Sequence, residues 1–239
     1  MILVMMFSYQ SKYVEIQSLH DFFNFRAGSA INLMHINCRS INKNFSNILD
    51  LLHVIDGKLM AIPVTETWLK LDTEKYFQIP GYKFVAKSRP DKIGGGIGIF
   101  VNKDYEFTVR SDLCHMTEYI ECLFIELHQQ GKANILIGCI YRPPNTDLNL
   151  FNSEILNILN AIDKEKNKVI VIAGDYNLDF LKINNHMPTA EFFNNMLSYA
   201  LYPTINNPTR ISDTSSSLID NIFTNATPSR CCSCILRHI

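Results

Sequence analysis

No apolar run in this chain reaches membrane-spanning length, so nothing in it reads as a bilayer span. The apolar start, Met1 to Phe7, lacks a basic beginning and a small-residue cleavage site, which speaks against a cleavable signal sequence. The sequons at Asn44 and Asn225 then carry no meaning, and the expectation is an intracellular protein of the nucleus or cytoplasm. An excess of one charge is missing too. Lys and Arg number 22 against 23 Asp and Glu, so the net charge of −1 gives no global nucleic-acid signature. Only between Lys83 and Arg110 do six basic residues outnumber three acidic ones, and a solvated face explains that as well as a phosphate-binding rim. Paired cysteines are not evident. The count is seven, and Cys38, Cys114, Cys122 and Cys139 are scattered, which reads as buried free thiols in a reducing compartment. Gly94-Gly95-Gly96 lacks the Gly-Lys-Ser/Thr ending of a phosphate loop and reads as a turn feeding a strand. Cys231, Cys232, Cys234 and His238 match no standard zinc module.

What is present is a core. Of 239 residues 47% are hydrophobic and the mean hydropathy is +0.01, enough for one sizeable globular domain. Residues 1–29 show no clear period and are taken as a loosely attached lead-in. From Ala30 strands and helices alternate. Ile31–Ile36 has period two; Phe45, Ile48, Leu49, Leu52 and Ile55 follow at helical spacing and Asp56-Gly57 closes that helix. Strands are expected at 59–65, 97–102, 119–127, 133–141, 169–173 and 217–224. Asp147 is placed to cap a helix with an apolar face of Leu148, Phe151, Ile155, Ile158, Leu159 and Ile162, and 191–201 forms a shorter one. Strands outnumber helices, and hairpin spacings coexist with helical crossovers. That pattern fits an α+β sandwich of two sheets with helices outside better than a doubly wound parallel sheet.

Chemistry gathers at strand ends. Val169 to Asn177 reads as a buried strand ending on Gly174-Asp175-Tyr176-Asn177. On extended backbone Asp175 and Asn177 point the same way and could hold one substrate atom between them, although an Asp-Asn turn explains them equally well alone. Asn37 follows the first strand, where a turn former is common. Glu66 follows the second, beside the single tryptophan, and burying a carboxylate there is costly without a cation or donor. Pro143 and Pro144 lock the chain after Tyr141 and Arg142, holding hydroxyl and guanidinium with little freedom. Asp220 sits in an otherwise apolar strand. If these ends share one edge they form a polar cleft of carboxylates and carboxamides. Without Cys or His ligands, such a cleft suits Mg²⁺ or Mn²⁺ and a phosphate ester.

These residues in this order resemble the endonuclease/exonuclease/phosphatase superfamily, and more closely the endonuclease domain of jockey-like non-LTR retrotransposons. The matching segments are His35-Ile36-Asn37-Cys38-Arg39-Ser40, Thr65-Glu66-Thr67-Trp68-Leu69, Gly94-Gly95-Gly96-Ile97, Tyr141-Arg142-Pro143-Pro144, Gly174-Asp175-Tyr176-Asn177, Pro208-Thr209-Arg210 and Leu218 to Asn225. The resemblance implies a four-layer sandwich of two mostly antiparallel sheets flanked by helices, spanning residues 30–225. It implies Glu66 as principal ligand of Mg²⁺ (or Mn²⁺) with Asn37 beside it, and Asp175 and Asn177 orienting water and scissile phosphate. Tyr141 would contact the phosphate as charge develops, Asp220 would belong to the same cleft, and Arg142 and Thr209 would bind substrate. The implied reaction is hydrolysis of a DNA phosphodiester to a 3′-hydroxyl, which the element's reverse transcriptase could use as primer. A monomer without membrane attachment is expected.

One departure stands out. The family pattern continues, after the Ile-Asp strand, into a Ser-Asp-His segment and a closing strand. Here Asn225 leads into residues 226–239, where His238 has no preceding Asp, so no general-base histidine is assigned. The tail reads as irregular, an out-of-frame or mis-spliced ending, with impaired activity and the last strand missing. Two other readings stay open: a phosphatase or phosphodiesterase of the same superfamily acting on a small phosphate ester, and an inactive remnant that at most binds nucleic acid.

Overall fold

The computed structural model describes residues 11–19, 31–55, 59–90, 94–165, 167–227 and 233–236. Its strands are β1 (Lys12–Val14), β2 (Ile36–Asn37), β3 (Ala61–Thr65), β4 (Tyr82–Lys87), β5 (Ile97–Asn102), β6 (Phe107–Val109), β7 (His115–Met116) and β8 (Glu121–Leu127). They continue with β9 (Ile135–Tyr141), β10 (Val169–Asp175), β11 (Tyr202–Pro203), β12 (Arg210–Ile211), β13 (Ser216–Ser217), β14 (Asp220–Thr224) and β15 (Cys234–Leu236). The helices are α1 (Ile41–Ile55), α2 (Leu148–Ile162) and α3 (Met187–Ser198). Asp147 caps α2 as expected, its carboxylate accepting from Asn149 N and Leu150 N.

The large sheet runs β11-β14-β10-β9-β8-β6, with β7 also on β8, and the small one runs β2-β3-β5-β4. Pairing within them is antiparallel except β9 with β10 and β2 with β3. Period-two alternation sorts the side chains into layers. On β8, Cys122 and Phe124 pack with Phe151, Ile155 and Leu159 of α2 and Phe192 and Met196 of α3. The intervening Leu123, Ile125 and Leu127 meet Ile97, Ile99 and Val101 of β5 between the sheets. Phe100 and Ile62 turn the other way, onto Ile48, Leu52 and Ile55 of α1. The four layers are therefore helix, sheet, sheet and helices, as the pattern predicts. Cys38, Cys122 and Cys139 are buried free thiols, and burial pushes Cys38 and Cys122 up to about 12.

The sequence misleads at both ends. Residues 11–19 are tied in: Ser11 N and Oγ donate to Asn206 Oδ1 at 3.0 and 2.6 Å, Tyr13 Oη donates to Pro208 O at 2.9 Å, and Leu19 is buried. Within the stretch read as irregular tail, β15 pairs in parallel with β1. Its alternate residues reach both outer cores, Ile235 the α2/α3 side and Cys234 and Leu236 the α1 side. A run of three apolar residues, Cys234-Ile235-Leu236, carries too little periodicity to announce a strand. The zinc-like cluster mostly falls outside the described residues, since Cys231, Cys232 and His238 do. No described helix is long and apolar enough to cross a membrane.

Candidate functional site

Register builds one row of polar residues across the large sheet. Asp220 is opposite Asp175, Asp175 is opposite Tyr141, and Tyr141 is opposite Glu121. Residues paired in this way share a face, and here it is the inner one, toward the small sheet. On that sheet Asn37 pairs with Thr65, one residue before Glu66. Continued alternation would send Glu66 toward α1. Instead the strand stops, Glu66 takes a left-handed φ of 53°, and its carboxylate accepts from Asn37 Nδ2 at 2.7 Å. The same Nδ2 donates to Asp175 Oδ2 at 2.6 Å. Asn37 thus joins a carboxylate from each sheet.

The loops behind these groups are braced. Cys38 N, Ser40 N and Ile41 N donate to the carbonyls of Thr65, Glu66 and Thr67, fastening the start of α1 beside the Glu66 loop. On the other side Thr67 N and Trp68 N donate to Gly96 O and Gly95 O. The three glycines all have positive φ, 101°, 67° and 81°, so the glycine turn forms as expected. Glu121, which the sequence reading passed over, holds that turn: Gly96 N donates to its Oε2 at 2.6 Å, and Arg89 pairs with its Oε1. Its signal was a charged residue inside the apolar run Ile120–Leu127. Burial raises its carboxyl above the usual range, against the lowering effect of Arg89.

Asp175 is fully buried. Burial first, then the Asp220 charge, lift its carboxyl from 3.8 to about 7, opposed by Arg210 and by the Asn177 N–H, which reaches Oδ1 at 3.0 Å. Tyr176, fixed in an aromatic cluster with Phe180, Phe192 and Phe223, anchors this strand end. The chain leaves extended geometry there: Asn177 has φ 47° and its Nδ2 donates to Arg142 O at 2.8 Å. Asp175 and Asn177 therefore do not aim their side chains at one shared point, contrary to the extended-chain expectation. Tyr141 is buried, and its phenol is raised by burial and then by the Glu66 and Asp175 charges, so it stays protonated.

Asp220 accepts from Thr209 Oγ1 at 2.9 Å through Oδ2, while its Oδ1 is buried with no hydrogen-bond partner among the described residues. Thr209 is thus a support for Asp220, its hydroxyl also taking Ile219 N and Asp220 N at 3.3 Å. Arg142 departs furthest from expectation. It is buried, with Nε on Tyr176 O at 2.7 Å, Nη2 on Asn177 O at 2.6 Å and Nη1 on Thr146 Oγ1 at 3.1 Å. Those donors clamp the Asp175–Asn177 turn and leave little for a substrate. Besides Glu121, two more groups went unforeseen. Arg210 Nη2 donates to Asp175 Oδ2 at 2.9 Å. His35 lies two residues before Asn37, with Nε2 3.2 Å from Thr65 Oγ1; burial lowers its pKa and the Asp220 charge opposes that. His35, Asn37, Thr209 and Asp220 are among the residues lining a cavity of about 900 Å³.

The donor set can be tested against a metal. The acceptors around Asn37 Nδ2 are oxygens; among the described residues the Glu66 carboxylate takes one hydrogen bond and Asp220 Oδ1 is buried without a partner. Among the described residues no three His, Cys, Asp or Glu are gathered as a cage. A hard cation bound by one or two carboxylates with water and substrate oxygens fits this set; zinc does not.

No family model and no curated protein matches the sequence. Solved structures do match. The endonuclease domain of TRAS1, a telomere-specific non-LTR retrotransposon, superposes with a TM-score of 0.60 at 13% identity, over 80% of this chain and 83% of that one. The human Nocturnin catalytic domain gives 0.59 at 15%, over 82% and 81%. The 3′ phosphatase NExo from Neisseria, bound to a product DNA hairpin, gives 0.58 at 14%, over 82% and 86%. The fold is that of the endonuclease/exonuclease/phosphatase proteins.

Proposed function

We propose that this chain is a metal-dependent phosphodiesterase that nicks DNA to a 3′-hydroxyl end, a terminus suited to priming a reverse transcriptase. The observation that carries this reading is the pair of carboxylates, Glu66 and Asp175, brought from separate sheets onto one Asn37 amide, with Tyr141 and Asp220 in the same row. Similarity in fold to the TRAS1 endonuclease domain and to NExo supports it.

Glu66 would hold Mg²⁺ or Mn²⁺, with Asn37 beside it once its amide presents the carbonyl. When bound, the cation supplies Lewis-acid stabilisation of the phosphoryl oxygens. Asp175, poised near 7, is matched to taking a proton from the attacking water at neutral pH. Tyr141 keeps its hydroxyl proton and can donate it as a hydrogen bond where negative charge develops. Thr209 fixes one oxygen of Asp220 and leaves the other toward the cleft.

The test is nicking of supercoiled plasmid by the purified chain with Mg²⁺, beside EDTA, Glu66→Gln and Asp175→Asn controls. Nicking that needs Mg²⁺ and falls ~10²–10⁴-fold in Asp175→Asn is expected. Turnover of small phosphate esters but not of DNA would replace this reading with that of a phosphatase. Absence of any turnover from a folded sample would leave a nucleic-acid-binding remnant.

A further inference from the structure

Three acidic groups, Glu66, Asp175 and Asp220, make the cleft repel the anion it is meant to bind, so cations near it decide how a phosphate enters. Two of the nearby arginines are committed elsewhere. Arg89 pairs with buried Glu121, and Arg142 is enclosed among backbone carbonyls. Arg210 differs from both. Its side chain is 35% exposed although the carboxylate it meets is 0% exposed. Of its five N–H donors, one contact at 2.9 Å to Asp175 Oδ2 is made among the described residues. An arginine built only to neutralise a buried carboxylate would engage it through both arms of the guanidinium and be enclosed with it.

The base of Arg210 is firmly held while its side chain is not. It opens the β12–β13 hairpin opposite Ser217, Thr209 N donates to Ser217 O at 3.0 Å, and the Thr209 hydroxyl is fixed on Asp220. The backbone is therefore registered against the catalytic row, and a long side chain with spare donors reaches into it.

We propose that Arg210 is a phosphate ligand of this site. Its guanidinium rests on Asp175 in the free protein and moves to a non-bridging oxygen of a bound phosphate group, leaving Asp175 Oδ2 to Asn37 Nδ2 and to water. The inference rests on the phosphoester reading above, but it concerns the anion rather than the nucleic acid.

The test uses the whole chain in EDTA, so that no cation bridges ligand and protein. Inorganic phosphate is titrated against melting temperature, and a fluorescent duplex is titrated by anisotropy over a salt series. Wild type is expected to be stabilised by phosphate, with binding about tenfold weaker in Arg210→Gln and partly kept in Arg210→Lys. For the duplex, the slope of log affinity against log salt falls by about 1 in Arg210→Gln. Asp175→Asn should bind phosphate more tightly than wild type, and adding Arg210→Gln to it should remove that gain; this pair decides the matter if the single Arg210→Gln variant does not fold. Equal phosphate binding by wild type and Arg210→Gln, or no phosphate-dependent stabilisation of wild type, overturns the proposal. Arg210-dependent phosphate binding without duplex binding sinks the DNA reading and leaves Arg210 as the ligand.

Discussion

Asp175 is the residue on which chemistry and stability conflict. Its carboxyl, raised from 3.8 to about 7, holds its proton more tightly in the folded than in the unfolded chain. The resulting stabilisation is complete below the unfolded value and is lost as pH rises through about 7. Melting of the metal-free protein should therefore drop between pH 5 and pH 8, and Asp175→Asn should flatten that drop and melt higher at pH 8. Parallel pH profiles for the two proteins would show that another group is responsible. Arg142 makes the opposite case. Losing its guanidinium strands the Tyr176 and Asn177 carbonyls in the interior, so Arg142→Met should cost ~2 kcal/mol or more in urea unfolding. A variant of unchanged stability but weakened substrate binding would restore the substrate role expected from sequence.

At the scale of elements, two glycines of equal φ separate backbone strain from site geometry. Gly81 and Gly96 both sit at +81°, but a Cβ on Gly81 meets nothing within 4 Å, while one on Gly96 comes 2.5 Å from Thr67 Oγ1. Both alanine variants should lose ~1 kcal/mol or so from the left-handed backbone. Only Gly96→Ala should also lower kcat, because Thr67 directly follows Glu66 and its N–H donates to Gly96 O, so displacing Thr67 moves the turn that holds Glu66. Equal kcat in the two variants would detach the glycine turn from catalysis. Such relations mark where the sequence stops being legible. β5 was readable to its last residue, since a glycine turn precedes an apolar run. β4, Tyr-Lys-Phe-Val-Ala-Lys, was not, because Lys83 and Lys87 and half-buried neighbours blur its period. Asn37, Glu66, Tyr141, Asp175 and Asp220 were legible as polar residues in or at the ends of apolar strands. Arg210, His35 and Glu121 were not, because their meaning comes from register across strands and from which hairpin closes on which row.

For the molecule as a whole, the ribbon of β1 with β15 joins Lys12–Val14 to Cys234–Leu236 and touches both outer cores. That contact spans nearly the entire sequence, so it closes the longest loop among the described residues and is entropically the last to be favoured. Ile235→Ala should accordingly accelerate unfolding and leave the refolding rate almost unchanged, as stopped-flow denaturant jumps would read. A slowed refolding limb would place the ribbon in the nucleus instead. The same geometry sets an order of assembly. The strands that carry the acidic row pair with one another and not with β15, so the cleft can form while the side of the sandwich under the ribbon is still open. For that interval the exposed flank is a matter for chaperones rather than for catalysis.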